Sequence, residues 1–178
     1  MSRIHYLAAA TAIFAAAPCY AAVYHSVGSA QQACFPEGTE FAAADMKLTK
    51  AQMKAIEKDS GVRVRLETQQ VWKATKNGNF LGWFIVDEVL GKHEFITWAL
   101  ALNADGGVKS IEIMEYRETY GYEIRNADWR AQFLGKKHGA KLKLDDDIKN
   151  VSGATLSCRH ITDGVKRLLS FYELALKN

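Results

Sequence analysis

Seven consecutive residues, Val151-Ser152-Gly153-Ala154-Thr155-Leu156-Ser157, hold the most chemistry for their length in this chain. They place hydroxyls and small residues at the head of an amphipathic run over 156–176. Ser152 is a residue type that caps helices, so a helix is expected to begin there. Gly153 and Ala154 leave room beside its first turn. The first backbone N–H groups of a helix lack intrahelical partners and sit at the positive end of its dipole, and together they hold an anion. Thr155 adds a hydroxyl at the same point. Asp145, Asp146 and Asp147 precede the stretch. On these grounds alone it reads as an anion site or as a plain helix cap.

Other reactive side chains form no competing constellation. Glu115 and Glu118 pair two carboxylates, but nothing completes a glycosidase-like arrangement. No Ser-His-Asp order or G-x-S-x-G elbow points to hydrolysis, and no zinc-ligand spacing is present, so neither catalytic residues nor metal ligands are assigned. His160, Arg159 and Lys166 follow Thr155 within about three helical turns and can reach or screen an anion; a solvated face is the plainer role for Lys166. Cys158 reads as a buried inert thiol, His93 as surface, and Trp83, Trp98 and Trp129 as core. Cys34 and Cys158 would be free to bridge in an oxidising compartment.

The elements that must position the motif follow from periodicity. Residues 1–21 read as a secretion signal: Arg3, an apolar run over 7–17 too short to span a bilayer, and small residues Cys19 and Ala21 before a cut. No later run is long enough to cross a membrane, so the mature chain is expected in the periplasm or otherwise exported. The formal charge of +3 and the absence of a basic patch with interleaved aromatics give no reason to expect nucleic acid. Residues 22–60 read as an extension containing a helix over 48–59, with Thr49 as cap and Gly61 as stop. Alternation at Val62, Val64 and Leu66 predicts a strand, and Val71-Trp72-Lys73-Ala74 continues it or begins another. Asn77-Gly78 is a hairpin signal. Strands are predicted over 80–89, 94–102 and 108–116, with turns at Gly91-Lys92 and Asp105-Gly106-Gly107. A helix over 123–134, a short edge strand at Leu142 and Leu144, and the final helix complete the chain. The expected fold class is α+β: an antiparallel sheet of about four strands with helices packed against it.

Ser152-Gly153-Ala154-Thr155-Leu156-Ser157 resembles the S/T-G-A-T-x-S/T signature of FMN-binding domain proteins, such as the flavin-carrying C and G subunits of the sodium-pumping quinone reductase and Rnf complexes. Upstream, Glu118-Thr119-Tyr120-Gly121, followed by Trp129, Phe133, Leu134 and Gly135, is similar to the family's Glu-Thr-Pro-Gly and its following helix. The resemblance covers residues 80–175 and implies an FMN-binding domain over 61–178. It implies that a flavin transferase esterifies Thr155 to the FMN phosphate. It also implies a cofactor site made of Thr155, Ser152, Gly153, Ala154, Ser157, Glu118, Thr119 and Gly121, with Tyr120 and Tyr122 able to stack on the ring. Tyr120 stands where the family has proline, and Lys149 stands where an acid commonly precedes the motif. FMN held without a covalent link therefore stays open beside the ester. The expected function is electron relay between redox partner proteins rather than stand-alone catalysis. A small flavin-dependent reductase and a cofactor-free module of the same fold are the alternatives.

Overall fold

A computed structural model describes residues 22–177. The predicted secretion signal lies outside the described residues. The elements in order are β1 (Ala22–Val23), α1 (Val27–Cys34), β2 (Glu40–Ala43), β3 (Met46–Lys47), α2 (Lys50–Ser60), β4 (Thr68–Lys76), β5 (Asn79–Leu90), β6 (Phe95–Asn103) and β7 (Val108–Tyr116). A 3-10 turn (Tyr122–Arg125), α3 (Ala127–Ala131) and α4 (Thr155–Phe171) follow, and α4 runs on as a π-helical turn (Tyr172–Leu176).

The antiparallel meander β4 to β7 forms the centre of the sheet, as its alternating sequence and turn residues predict. The sheet is wider than the four strands expected. Its order is β1-β7-β6-β5-β4-β2, with β3 also paired to β4. The added strands hold only two to four residues each. They carry no period of their own and exist because an edge of the meander offers unpaired backbone groups.

Both faces of the sheet are covered. On one side Ile85, Val89, Ile96, Trp98, Leu100 and Ile111 pack against the buried stripe Cys158, Ile161, Val165 and Leu168 of α4, with Ile56 of α2. On the other side Phe84, Val86, Ala99, Ala101 and Met114 meet Ala30 and Cys34 of α1 and Phe35 just after it. Double burial explains the near-continuous apolar runs of β5 and β6. Gly164 lets α4 approach β6 closely, since a Cβ there would lie 2.7 Å from Cζ2 of Trp98. A buried ion pair adds a polar pin: Arg167 Nη2 of α4 donates to Asp87 Oδ2 of β5 at 2.5 Å. Burial pushes the Asp87 carboxyl above its ordinary value, and Arg167 pulls it part of the way back. Among the described residues, Cys34 at the end of α1 and Cys158 in α4 lie on opposite faces of the sheet and are unbridged, so the bridge that the sequence allows is not formed.

Several local expectations are corrected. Residues 62–67 form no strand. Their backbone is used elsewhere: Val64 N–H donates to Glu57 Oε1, and the Glu67 carbonyl accepts from Leu48 N–H. The single helix expected over 123–134 is split at Asn126, whose φ of −58° and ψ of 130° separate the 3-10 turn from α3. Leu142 has a φ of +44° and belongs to no strand. Leu144 makes only an isolated bridge to Ile148. Asp147 organises that loop instead, accepting from Leu142 N–H at 3.2 Å, Lys143 N–H at 2.7 Å and Lys136 Nζ at 2.8 Å. α1, unpredicted, is capped by Ser26 and ends at an extended Phe35, the conformation expected before Pro36.

Candidate functional site

Sheet register decides which loops meet. Leu90 pairs with Phe95 and Ile96 pairs with Tyr116, so the turn at 91–94 and the end of β7 occupy one end of the sheet. Glu118, two residues past β7, reaches across that end. Its Oε1 accepts from the backbone N–H of His93 at 2.5 Å and of Glu94 at 3.0 Å. Burial raises the Glu118 carboxyl, but the N–H groups of Glu94, His93 and Lys92 outweigh it and hold the group below its ordinary value. Gly91 fits beneath this carboxylate, because a Cβ there would lie 2.6 Å from Oε1.

The segment beyond Glu118 is fastened to the head of α4. The Tyr116 hydroxyl donates to the Tyr120 carbonyl at 2.5 Å and lies 3.2 Å from Ser157 Oγ. Gly121 has a φ of +91°. A Cβ there would fall 2.6 Å from the Tyr116 hydroxyl and 3.0 Å from the Ala154 Cβ, so glycine satisfies both the backbone and the space. The two stretches singled out in the sequence are thus in direct contact.

At the head of α4 the residue before the first turn is Ala154, and no side chain caps it. This corrects the role expected of Ser152. A turn closed by Ala154 N–H to the Val151 carbonyl at 3.0 Å carries Ser152 and Gly153 at its middle, Gly153 with φ +84°. Ser152 is exposed there, two residues too early to reach the first turn as a cap. Helix geometry leaves the N–H groups of Thr155, Leu156 and Ser157 without intrahelical acceptors. The Thr155 side chain is held by a neighbour: Asn150 Nδ2 donates to Thr155 Oγ1 at 3.1 Å.

Between the turn, the 118–120 segment and the head of α4 lies a cleft of about 600 Å³. Thr155, Gly153, Ala154, Ser157, Glu118 and Thr119 line it, with Tyr120, Leu156, Lys92 and His93. Gly121 sits behind the wall, and Ser152 stands beside it on the surface. Tyr120 and Tyr122 are both largely exposed. Of the cations considered, His160 faces away, its Nδ1 against the Leu90 carbonyl. Arg159 and Lys166 lie along α4 outside the cleft. Lys92 is the cation that the cleft contains. Cys158 is buried, and burial raises its thiol, the surroundings of a structural cysteine.

Residues 91–170 match the family model described as FMN-binding domain. Residues 91–170 are a domain of this FMN-binding family, and the cofactor is FMN. Over 157 residues the chain is 23% identical to the G subunit of the Na(+)-translocating ferredoxin:NAD(+) oxidoreductase complex of Acetobacterium woodii, covering 81% of this chain and 72% of that protein. The crystal structure of NqrC from Shewanella oneidensis aligns with a TM-score of 0.51 at 16% identity, covering 85% of this chain and 75% of that one. This second likeness is one of fold.

The residues present fit FMN. The cleft is within the size range of cofactor pockets. It joins a helix N-terminus suited to phosphate with an apolar and aromatic rim at Tyr120 and Leu156. Lys92, His93, Leu156 and Asn150 join the site only in the folded structure. Pairing the strands residue by residue would have placed the 91–94 turn beside Glu118. Nothing in the sequence marks Asn150.

Proposed function

We propose that this protein is an exported electron-transfer flavoprotein that carries FMN as a phosphoester on Thr155. The observation that supports the ester is the Thr155 hydroxyl itself, half-buried at the head of α4 in the wall of the cleft. Bound FMN supplies one- or two-electron chemistry. The chain's own groups do the rest. The free N–H groups of the first turn of α4 and Lys92 favour the phosphate's charge. Tyr120 and Leu156 offer apolar surface to the ring. Glu118 fixes the 91–94 turn, which keeps one wall in place before any cofactor arrives.

Export rests on Arg3, the apolar run over 7–17 and the small residues Cys19 and Ala21. A tether would keep the flavin where lost cofactor is hard to replace. Relay between partner proteins, with a flavin transferase for maturation, is the role this suggests. It agrees with the relative's place as a subunit of an oxidoreductase complex. Lys149 in the place of the family's acid favours a second reading, FMN bound without the ester.

Acid precipitation separates the two. Protein made in an export-competent host with transferase and flavin supply should be yellow, and its colour should stay with the precipitate. Colour that moves wholly to the supernatant would establish the noncovalent form. Colourless protein would refute both.

A further inference from the structure

Asn150 lies beside the Thr155 hydroxyl at the head of α4. Its Nδ2 donates to Thr155 Oγ1 at 3.1 Å, while its Oδ1 is buried without a hydrogen-bond partner. An unsatisfied buried amide oxygen is costly, so the position of this side chain calls for a reason. The backbone on either side of Asn150 is clamped. Lys149 N–H donates to Gln132 Oε1 at 2.7 Å, and the Lys149 carbonyl accepts from Trp129 Nε1 at 2.8 Å. The Val151 carbonyl accepts from Ala154 N–H at 3.0 Å. These bonds hold the backbone around Asn150, and from there its amide reaches the Thr155 oxygen. Either amide orientation meets Oγ1: in one, the NH2 donates to it; in the other, the carbonyl oxygen accepts the hydroxyl proton.

We infer that Asn150 is a positioning residue for covalent flavin attachment, holding Thr155 Oγ1 toward the cleft for transfer. This rests on the ester proposed above. In that transfer, with a flavin dinucleotide as donor, the Thr155 Oγ1–P bond forms and the P–O bond of the pyrophosphate breaks. The nucleoside monophosphate leaves with that electron pair, and the hydroxyl proton passes to a base of the transferase. The side chain of Lys149, at the family's acidic position, is exposed and makes none of these contacts. Asn150 supplies the hold from the next residue.

The test uses the full-length mature protein, purified without flavin and incubated with the transferase and flavin dinucleotide, with initial labelling rates read by intact mass across acceptor concentrations. Asn150→Ala should lower kcat on the order of tenfold or more, the scale set by a misplaced reacting group, with KM and melting temperature little changed. Asn150→Leu fills the same space without either polar atom and removes the buried orphan oxygen. It should label as poorly as Asn150→Ala while melting no lower than wild type. If Asn150→Ala does not fold, Asn150→Leu is judged by the same criterion. Labelling by either folded variant at the wild-type rate would overturn the assignment of Asn150 and leave the ester standing. So would a loss confined to KM. A wild type that gains no mass would sink the ester, and this inference with it.

Discussion

Removing the Glu118 carboxylate should release the 91–94 turn without unfolding the protein. One oxygen of Glu118 accepts two backbone N–H groups, those of His93 and Glu94. A hydrogen bond to a charged group contributes about 1.5–3 kcal/mol in a sheltered setting. Here the turn is exposed and water competes, so about 1–2 kcal/mol for the pair is the realistic scale, roughly 5- to 30-fold in the opening equilibrium of the turn. In Glu118→Ala, amide hydrogen exchange at His93 and Glu94 should speed up by that factor, while exchange in β5 and β6 away from the turn stays the same. Glu118→Gln keeps an acceptor but loses the charge and should fall between. Affinity for added FMN should drop in the same order, because Lys92 and His93 form part of the cleft only while the turn is held. Unchanged protection at His93 and Glu94 in Glu118→Ala would mean that the carboxylate does not hold the turn. If FMN affinity fell all the same, Glu118 would act on the flavin directly and not through the turn.

Three further outcomes follow from the same geometry. Gly121→Ala should cost about 1–3 kcal/mol by urea denaturation, the usual cost of a non-glycine residue in such a conformation, and should weaken FMN binding because Ala154 and Tyr116 must move. Arg167→Met should cost about 3–5 kcal/mol, since it leaves Asp87 buried and unpaired. That deficit should shrink on acidification, because protonating Asp87 removes the uncompensated charge. Glu118 and Asp147 are both held below their ordinary values of 4.5 and 3.8. Their contributions are complete above those values and are lost as pH falls through the lower folded ones. The loops at 91–94 and 141–148 should therefore lose amide protection in acid before the sheet does, as hydrogen exchange across pH would show.

The meander and the two long helices were legible because each carries its own local signal. The Asn77-Gly78 turn, the Thr49 cap and the buried stripe of α4 all lie where periodicity puts them. The errors share one cause, an outcome set by distant partners. Val62, Val64 and Leu66 alternate like a strand, yet only Val64 of the three is buried, Leu66 is 44% exposed, and among the described residues no strand pairs with them. Ser152 has the chemistry of a cap but sits in a tight turn that delays the helix to Thr155. The site was half legible. Glu118 and Thr155 could be named from the sequence, but the contacts that make them useful could not. Those contacts depend on strand register for the His93 and Glu94 amides, and on a loop clamped by Gln132 and Trp129 for Asn150.

Peptide mapping shows whether Thr155 carries the flavin. Trypsin cuts after Lys149 and Arg159, which isolates residues 150–159 with Thr155 inside. In protein matured with transferase and flavin, this peptide should gain the mass of one FMN less one water, and fragmentation should place the gain on Thr155. The same peptide from Thr155→Val should be unmodified. A wild-type peptide without added mass, or a flavin found on any other residue, would rule out Thr155 as the attachment point.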